Sequence, residues 1–151
     1  MAKVFAIRHC LLAVEAHLGT KAETFVDLDV TSPLRIVSDN ANVVQLLDET
    51  RASNIITGTS ARRSPYFNLV EVGKNDVVRL SKQNKNTIAR RQDSPVCYDM
   101  NASIYAWRRD IFVQHPSVFY DDTQIFEMPA SRSVDVDTEI DFEFVELLMR
   151  R

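Results

Sequence analysis

Apolar positions recur along the chain with two periods, and the change of period marks its elements. Over positions 3–18, Val4, Ile7, Leu11, Val14 and Leu18 repeat at alternating spacings of three and four. This predicts an amphipathic helix, with Gly19 placed to end it. Residues 25–30 are apolar apart from Asp27 and Asp29 and read as a buried strand. Aspartates in such a strand are costly unless paired or functional. Asp29 stands where a strand of an open α/β sheet delivers residues to a ligand crevice. Thr31-Ser32-Pro33-Leu34-Arg35 is a turn. A helix then runs to about position 50, capped by Ser38-Asp39, with Val43, Val44, Leu46 and Leu47 on its inner face. Residues 54–59 form a second strand. Helix–strand–helix–strand is the grammar of an α/β sheet.

The pattern then changes. Segments 66–72 and 77–80 flank Gly73-Lys74-Asn75-Asp76, a hairpin signal, and 81–93 is polar and basic with neither period. The stretch 62–98 therefore reads as an arm or subdomain. A lone hairpin is marginal, so this one is expected to pack on another subunit or fold back. Strands are expected at 101–107 and 124–128, and a short helical turn at 109–113. A closing helix is expected at 142–150, with Phe144, Val145 and Leu148 inward.

One stretch carries candidate chemistry. In Ser133-Val134-Asp135-Val136-Asp137-Thr138-Glu139-Ile140-Asp141, the aspartates alternate with valines, so an extended backbone places both carboxylates on one face. Two such carboxylates suit Mg²⁺, which takes one or two protein carboxylates, several waters and substrate phosphate oxygens. Thr138 can cap the helix that follows. The same residues also fit an acidic loop and helix cap with no ligand.

Composition narrows the classes. The 151 residues are 45% hydrophobic and 26% charged, values of a single soluble globular domain. A net charge of −3 without a basic run does not indicate a nucleic acid or an anionic membrane as partner. No apolar run is long enough to span a bilayer, and no signal peptide is recognisable. Cys10 and Cys97 have no metal-type spacing and read as reduced thiols of a cytoplasmic protein. His9 and His17 have no third ligand spaced to join them. The three glycines, Gly19, Gly58 and Gly73, are isolated, so no glycine-rich phosphate cradle is present.

Four strings now coincide in order: Leu28-Asp29-Val30-Thr31-Ser32-Pro33-Leu34-Arg35, Arg91-Gln92-Asp93, Asn101-Ala102-Ser103-Ile104-Tyr105, and the acidic stretch 133–141. Together they resemble the acylneuraminate (CMP-sialic or nonulosonic acid) cytidylyltransferases, from the first helix to the C-terminus. The resemblance implies a mixed-sheet α/β nucleotidyltransferase fold with a β-hairpin dimerisation arm. It also implies a homodimer, CTP and a nonulosonic acid as substrates, and Mg²⁺ or Mn²⁺ at the phosphates. By the same resemblance, Asp135 and Asp137 are the metal-binding pair, and Arg91 is an arginine of the sugar-binding region. Asn101, Tyr105 and the aromatic Phe119 reach the sugar pocket, and Asp29 is a substrate-binding residue and a candidate general base. The chain departs from the sialic acid branch at Asp29, where Gln is usual, at Ala102, where Gly is usual, and at Phe67 in place of a sugar-contacting Lys. It looks more like the branch acting on legionaminic-type sugars. The family's opening strand and Ala-Arg-x-Gly-Ser-Lys loop have no counterpart here, which implies an N-terminally truncated member.

Overall fold

A computed structural model describes residues 2–82, 90 and 93–150. The first helix, α1 (Ala2–Leu18), follows the predicted stripe and ends at Gly19, whose φ of +68° suits glycine. Only the start of the stripe is covered: Val4 is buried, whereas Val14 and Leu18 are exposed. β1 (Thr24–Leu28) stops before Asp29, earlier than the apolar run suggests. The reason is local. Asp29 Oδ1 accepts from the N–H and hydroxyl of Thr31, and the Arg35 guanidinium takes the carbonyls of Asp29 and Ser32, so the backbone turns here. α2 (Val37–Thr50) is capped two residues earlier than expected, at Ile36, whose N–H donates to Asp39 Oδ2 at 3.0 Å. Ser38 is not the cap.

β2 (Asn54–Ser60) leads into a short hairpin of β3 (Val70–Val72) and β4 (Val78–Leu80). β5 (Tyr98–Arg108), α3 (Arg109–Gln114), β6 (Gln124–Glu127) and α4 (Glu139–Met149) complete the chain. Contacts divide it into two compact units, Met1–Thr59 with Met100–Arg151, and Ser60–Asp99.

In the larger unit the strand order is β1-β5-β2-β6. β1 is antiparallel to β5, and β2 is parallel to β6. Arg108 N–H bonds the Ser53 carbonyl while Ile104 meets Thr57, so β5 also runs against β2. The C-terminal ends of β1, β2 and β6 therefore share one edge with the beginning of β5. Such an edge is where open α/β sheets bind ligands. Asp29 N–H bonds Ser103 and Arg109 N–H bonds Glu23, which fixes the pairing phase of β1. Residues 25, 27 and 29 turn their backbone groups to β5, and 24, 26 and 28 turn theirs to the open edge.

Each face of the sheet has its own core. Val43 and Leu47 of α2 pack with Ile55, Ile104, Ala106 and Met128 on one face. On the other, Val4, Ile56, Tyr105, Trp107 and Phe112 form an aromatic layer, with Phe25 stacked on Trp107 at 5.3 Å. Full burial of side chains such as Leu47, Ile55, Trp107 and Phe112 contributes about 1.5–3 kcal/mol each. On α4 only Val145 is buried; Phe144, expected inward, is exposed.

The smaller unit holds the predicted hairpin, with Val70 opposite Leu80 and Val72 opposite Val78. Asn75 and Asp76 at its tip take φ of 62° and 58°, a region that short polar side chains enter most readily. The Ser64 carbonyl accepts the N–H groups of Phe67, Asn68 and Leu69, which folds the chain back before β3.

Candidate active site

The sheet edge at the C-terminal ends of β1, β2 and β6 gathers four of the residues singled out from sequence: Asp29, Asn101, Tyr105 and Asp135. Strand alternation places Asp27 and Asp29 on the face covered by α1, whose first turn supplies Lys3. The Lys3 ammonium lies 2.8 Å from Asp29 Oδ2, 3.1 Å from Asp27 Oδ2 and 5.3 Å from the centre of the Tyr105 ring. Lys3's hydrogen bond holds the Asp29 carboxyl below the usual carboxylate range, against the burial that would raise it. Burial pushes the Tyr105 phenol up, Lys3 pulls it down, and Asp29, Asp27 and Asp135 push it up again. Asp135 therefore shares the electrostatic surroundings of the β1 carboxylates.

Asn101 is a hub. Its Oδ1 accepts from Thr57 Oγ1 at 2.7 Å and from Ser103 N–H at 3.1 Å, and its Nδ2 donates to Ser133 Oγ at 3.0 Å. It is 6% exposed, so its amide builds the edge instead of facing an open pocket. The next residue, Ala102, has φ of +52°, a left-handed conformation that costs a side chain about 1–2 kcal/mol. The position where the resembled family usually carries Gly is thus one that favours it.

The acidic stretch is irregular backbone between a short helical turn at Ala130–Arg132 and α4. It is not a strand. Val136 N–H bonds the Thr31 carbonyl at 2.9 Å, and Ser32 Oγ donates to the Asn101 carbonyl at 3.1 Å and toward Asp135 Oδ1 at 3.4 Å. The turn after β1 thereby carries Asp135. Asp137 is exposed. Beyond it, Thr138 caps α4 as expected: its hydroxyl accepts from Asp141 N–H, and Asp141 Oδ2 accepts the Thr138 N–H at 2.9 Å. A second anchor lies upstream, where Arg132 makes two bonds, of 2.9 and 2.8 Å, to the buried carboxylate of Asp39.

Among the described residues no three His, Cys, Asp or Glu side chains gather to hold a metal by themselves. The two-carboxylate donor set of Asp135 and Asp137 fits a Mg²⁺-type ion that takes its other oxygens from water and phosphate. Arg91 lies outside the described residues. Phe119 sits elsewhere: it is 62% exposed in the loop before β6, beside Val118, whose carbonyl accepts from Asn54 at the opposite end of β2. Within this unit the length of the sheet separates it from Asp29 and Asp135.

Sequence reasoning missed Lys3, Ser32, Thr57 and the Asp39–Arg132 pair. For Lys3 a signal existed. A lysine in the first turn of a helix opposes the helix dipole, so its placement there implies an anionic partner.

No protein-family model matches the chain. Over 148 residues it is 45% identical to the CMP-N,N'-diacetyllegionaminic acid synthase of Campylobacter jejuni, covering 98% of this chain and 62% of that protein. It is 42% identical over 149 residues to the post-translational flagellin modification protein B of Campylobacter coli, covering 99% and 62%. Over 120 residues it is 26% identical to the N-acylneuraminate cytidylyltransferase of Streptococcus agalactiae, covering 80% and 29%. Among solved structures, a 4-diphosphocytidyl-2C-methyl-D-erythritol synthase from Anaerococcus prevotii shares the fold. Its TM-score is 0.60 at 12% identity, over 87% of this chain and 60% of that one. The sheet thus shares its fold with that synthase, and the chain is similar to these relatives while spanning 62% of the length of the two Campylobacter proteins.

Proposed function

We propose that the chain carries the sugar-acid side of a CMP-nonulosonic acid synthetase, which joins CTP to the anomeric hydroxyl of a legionaminic- or sialic-type sugar. The observation that supports this most is the convergence of Asp29, Tyr105 and Asp135 on the carboxyl edge of the sheet, held by the Asn101 network. In the reaction the hydroxyl oxygen bonds the α-phosphorus of CTP, the bond from that phosphorus to the bridging oxygen breaks, and pyrophosphate leaves. Asp29, which Lys3 keeps ionised, receives the hydroxyl proton. Asp135 and Asp137 would hold Mg²⁺ or Mn²⁺, which when bound neutralises charge on the phosphates. Thr31, Ser32 and Arg35 keep the turn below Asp135 in place. The acidic character of Asp29, where sialic acid enzymes of the resembled family usually carry Gln, favours a legionaminic-type sugar. The unit Ser60–Asp99 is the proposed dimerisation arm, and the protein is proposed to work in the cytoplasm as a homodimer.

The test is formation of a CMP-sugar from CTP and a panel of nonulosonic acids, with Asp135→Asn as the control. Absence of product with every sugar counts against the reading. A second reading, a non-catalytic dimerising or sugar-binding member of the family, draws support from the lack of any glycine-rich phosphate cradle among the three isolated glycines. It predicts a dimer whose melting temperature shifts with the sugar acid and not with CTP.

A further inference from the structure

Lys3 is the cation that the proposed mechanism uses only indirectly. Its side chain is 52% exposed, while the two carboxylates it bridges are 24% and 25% exposed. The ammonium faces water on one side and two half-buried anions on the other. One of those anions is sparsely satisfied: Asp27 Oδ2 is buried, and among the described residues its charge is met by that ammonium 3.1 Å away. Among the described residues two other cations stand near the same edge, and both are engaged. Arg35 is held by the carbonyls of Asp29 and Ser32, and Arg132 is bound through two nitrogens to Asp39. A groove of about 380 Å³ between α1 and β1 reaches Lys3 and Asp27 from the solvent side. An anionic substrate arriving at an edge that holds Asp27, Asp29 and Asp135 meets like charge unless a cation can turn to it. A lysine is suited to that role, because its compact charge on a four-carbon stem can leave one carboxylate for another without losing a fixed fork of bonds.

We infer that Lys3 is a specificity-determining anion contact: its ammonium, shared between Asp27 and Asp29 over the Tyr105 ring, turns to an oxyanion of the incoming substrate, with Asp29 as its internal competitor. The inference rests on the cytidylyltransferase reading. The oxyanion is the carboxylate of the sugar acid or a phosphate of the nucleotide, and the two are separated by titrating them singly. Isothermal titration of the full chain with N-acetylneuraminic acid, and separately with CTP and Mg²⁺, is run on the wild type, Lys3→Met and Asp29→Asn. Loss of the charge-assisted bond is expected to weaken one of the two ligands about tenfold in Lys3→Met.

Asp29→Asn frees the ammonium and is expected to tighten that same ligand. A purely structural ion pair gives the opposite result, because both substitutions then break the same support and weaken binding together. Parallel weakening, or equal affinity of wild type and Lys3→Met for both ligands, overturns the inference while leaving the family reading in place. If the wild type binds neither ligand, this contact and the cytidylyltransferase reading for this chain fall together. Circular dichroism of each variant separates loss of binding from loss of fold.

Discussion

Arg132→Met removes the clamp that fixes the turn before the acidic stretch, and its cost can be worked from the geometry. The Asp39 side chain is 2% exposed and takes two bonds from Arg132, while its remaining partner is the Ile36 N–H. Stripping the cation from a buried pair typically costs about 3–5 kcal/mol. Arg132 is 30% exposed, so water can partly replace it, and the expected loss is about 2–4 kcal/mol. Urea unfolding followed by the single Trp107, which is 1% exposed, reports it directly. Asp39→Asn combined with Arg132→Met should cost less than the sum of the two single changes. The pH dependence has a definite sign. Burial would raise the Asp39 carboxyl, but Arg132 and the Ile36 N–H together outweigh it and leave it below the ordinary range. A depressed carboxyl stabilises the fold fully above its unfolded value of about 3.9, and that contribution is lost as pH falls through the lower folded value. The gap between wild type and Arg132→Met should therefore be constant near neutrality and close in acid. A loss below about 0.5 kcal/mol, or a gap that widens in acid, would show that the Arg132–Asp39 pair does not hold the fold.

Three further outcomes follow from the same structure. Ala102→Gly relieves a left-handed φ of +52° and should stabilise by about 0.5–1 kcal/mol after glycine's extra chain entropy, seen as a rise of roughly 2 °C in Tm; a fall in Tm counts against a strained Ala102. Asn101→Ala leaves the Ser103 N–H and Ser133 hydroxyl short of a partner and should cost about 2–3 kcal/mol in urea unfolding; a near-neutral result would mean the hub is not formed in solution. Thr138→Ala removes the α4 cap and should cost about 1 kcal/mol, with faster hydrogen exchange at the first amides of α4; unchanged exchange there would argue against the capping box.

The residues that the sequence made readable are those whose physics is local. Gly19 ends α1, Thr138 starts α4 and Gly73-Lys74-Asn75-Asp76 makes a hairpin, because each signal and its consequence lie within a few positions. Burial was less readable, since periodicity marks a face without saying whether anything covers it. Val14 points to the open groove beside β1, the end strand of the sheet, and Phe144 stays exposed on α4. Asn101 and Ala102 stood out from sequence only as parts of a resembling string. The structure gives them physical content, as a saturated amide hub and a left-handed backbone position. Pairs such as Lys3 with Asp29, or Asp39 with Arg132, join positions 26 and 93 residues apart, and no local pattern names both partners. Phe119 carries the same lesson from the other side: the resemblance takes it to the sugar pocket, yet the topology sets it at the far end of its own sheet.

We propose that the Asp29–Asn101–Asp135 edge serves CMP transfer to a nonulosonic acid. Its most direct test is to incubate the chain with CTP, Mg²⁺ and legionaminic or N-acetylneuraminic acid, and to follow phosphorus resonances for the CMP ester and pyrophosphate. Both products are expected in equal amounts, faster with legionaminic acid, with a rate at least about 100-fold lower in Asp135→Asn. Absence of the ester with either sugar, or an Asp135→Asn rate equal to wild type, would contradict the proposal.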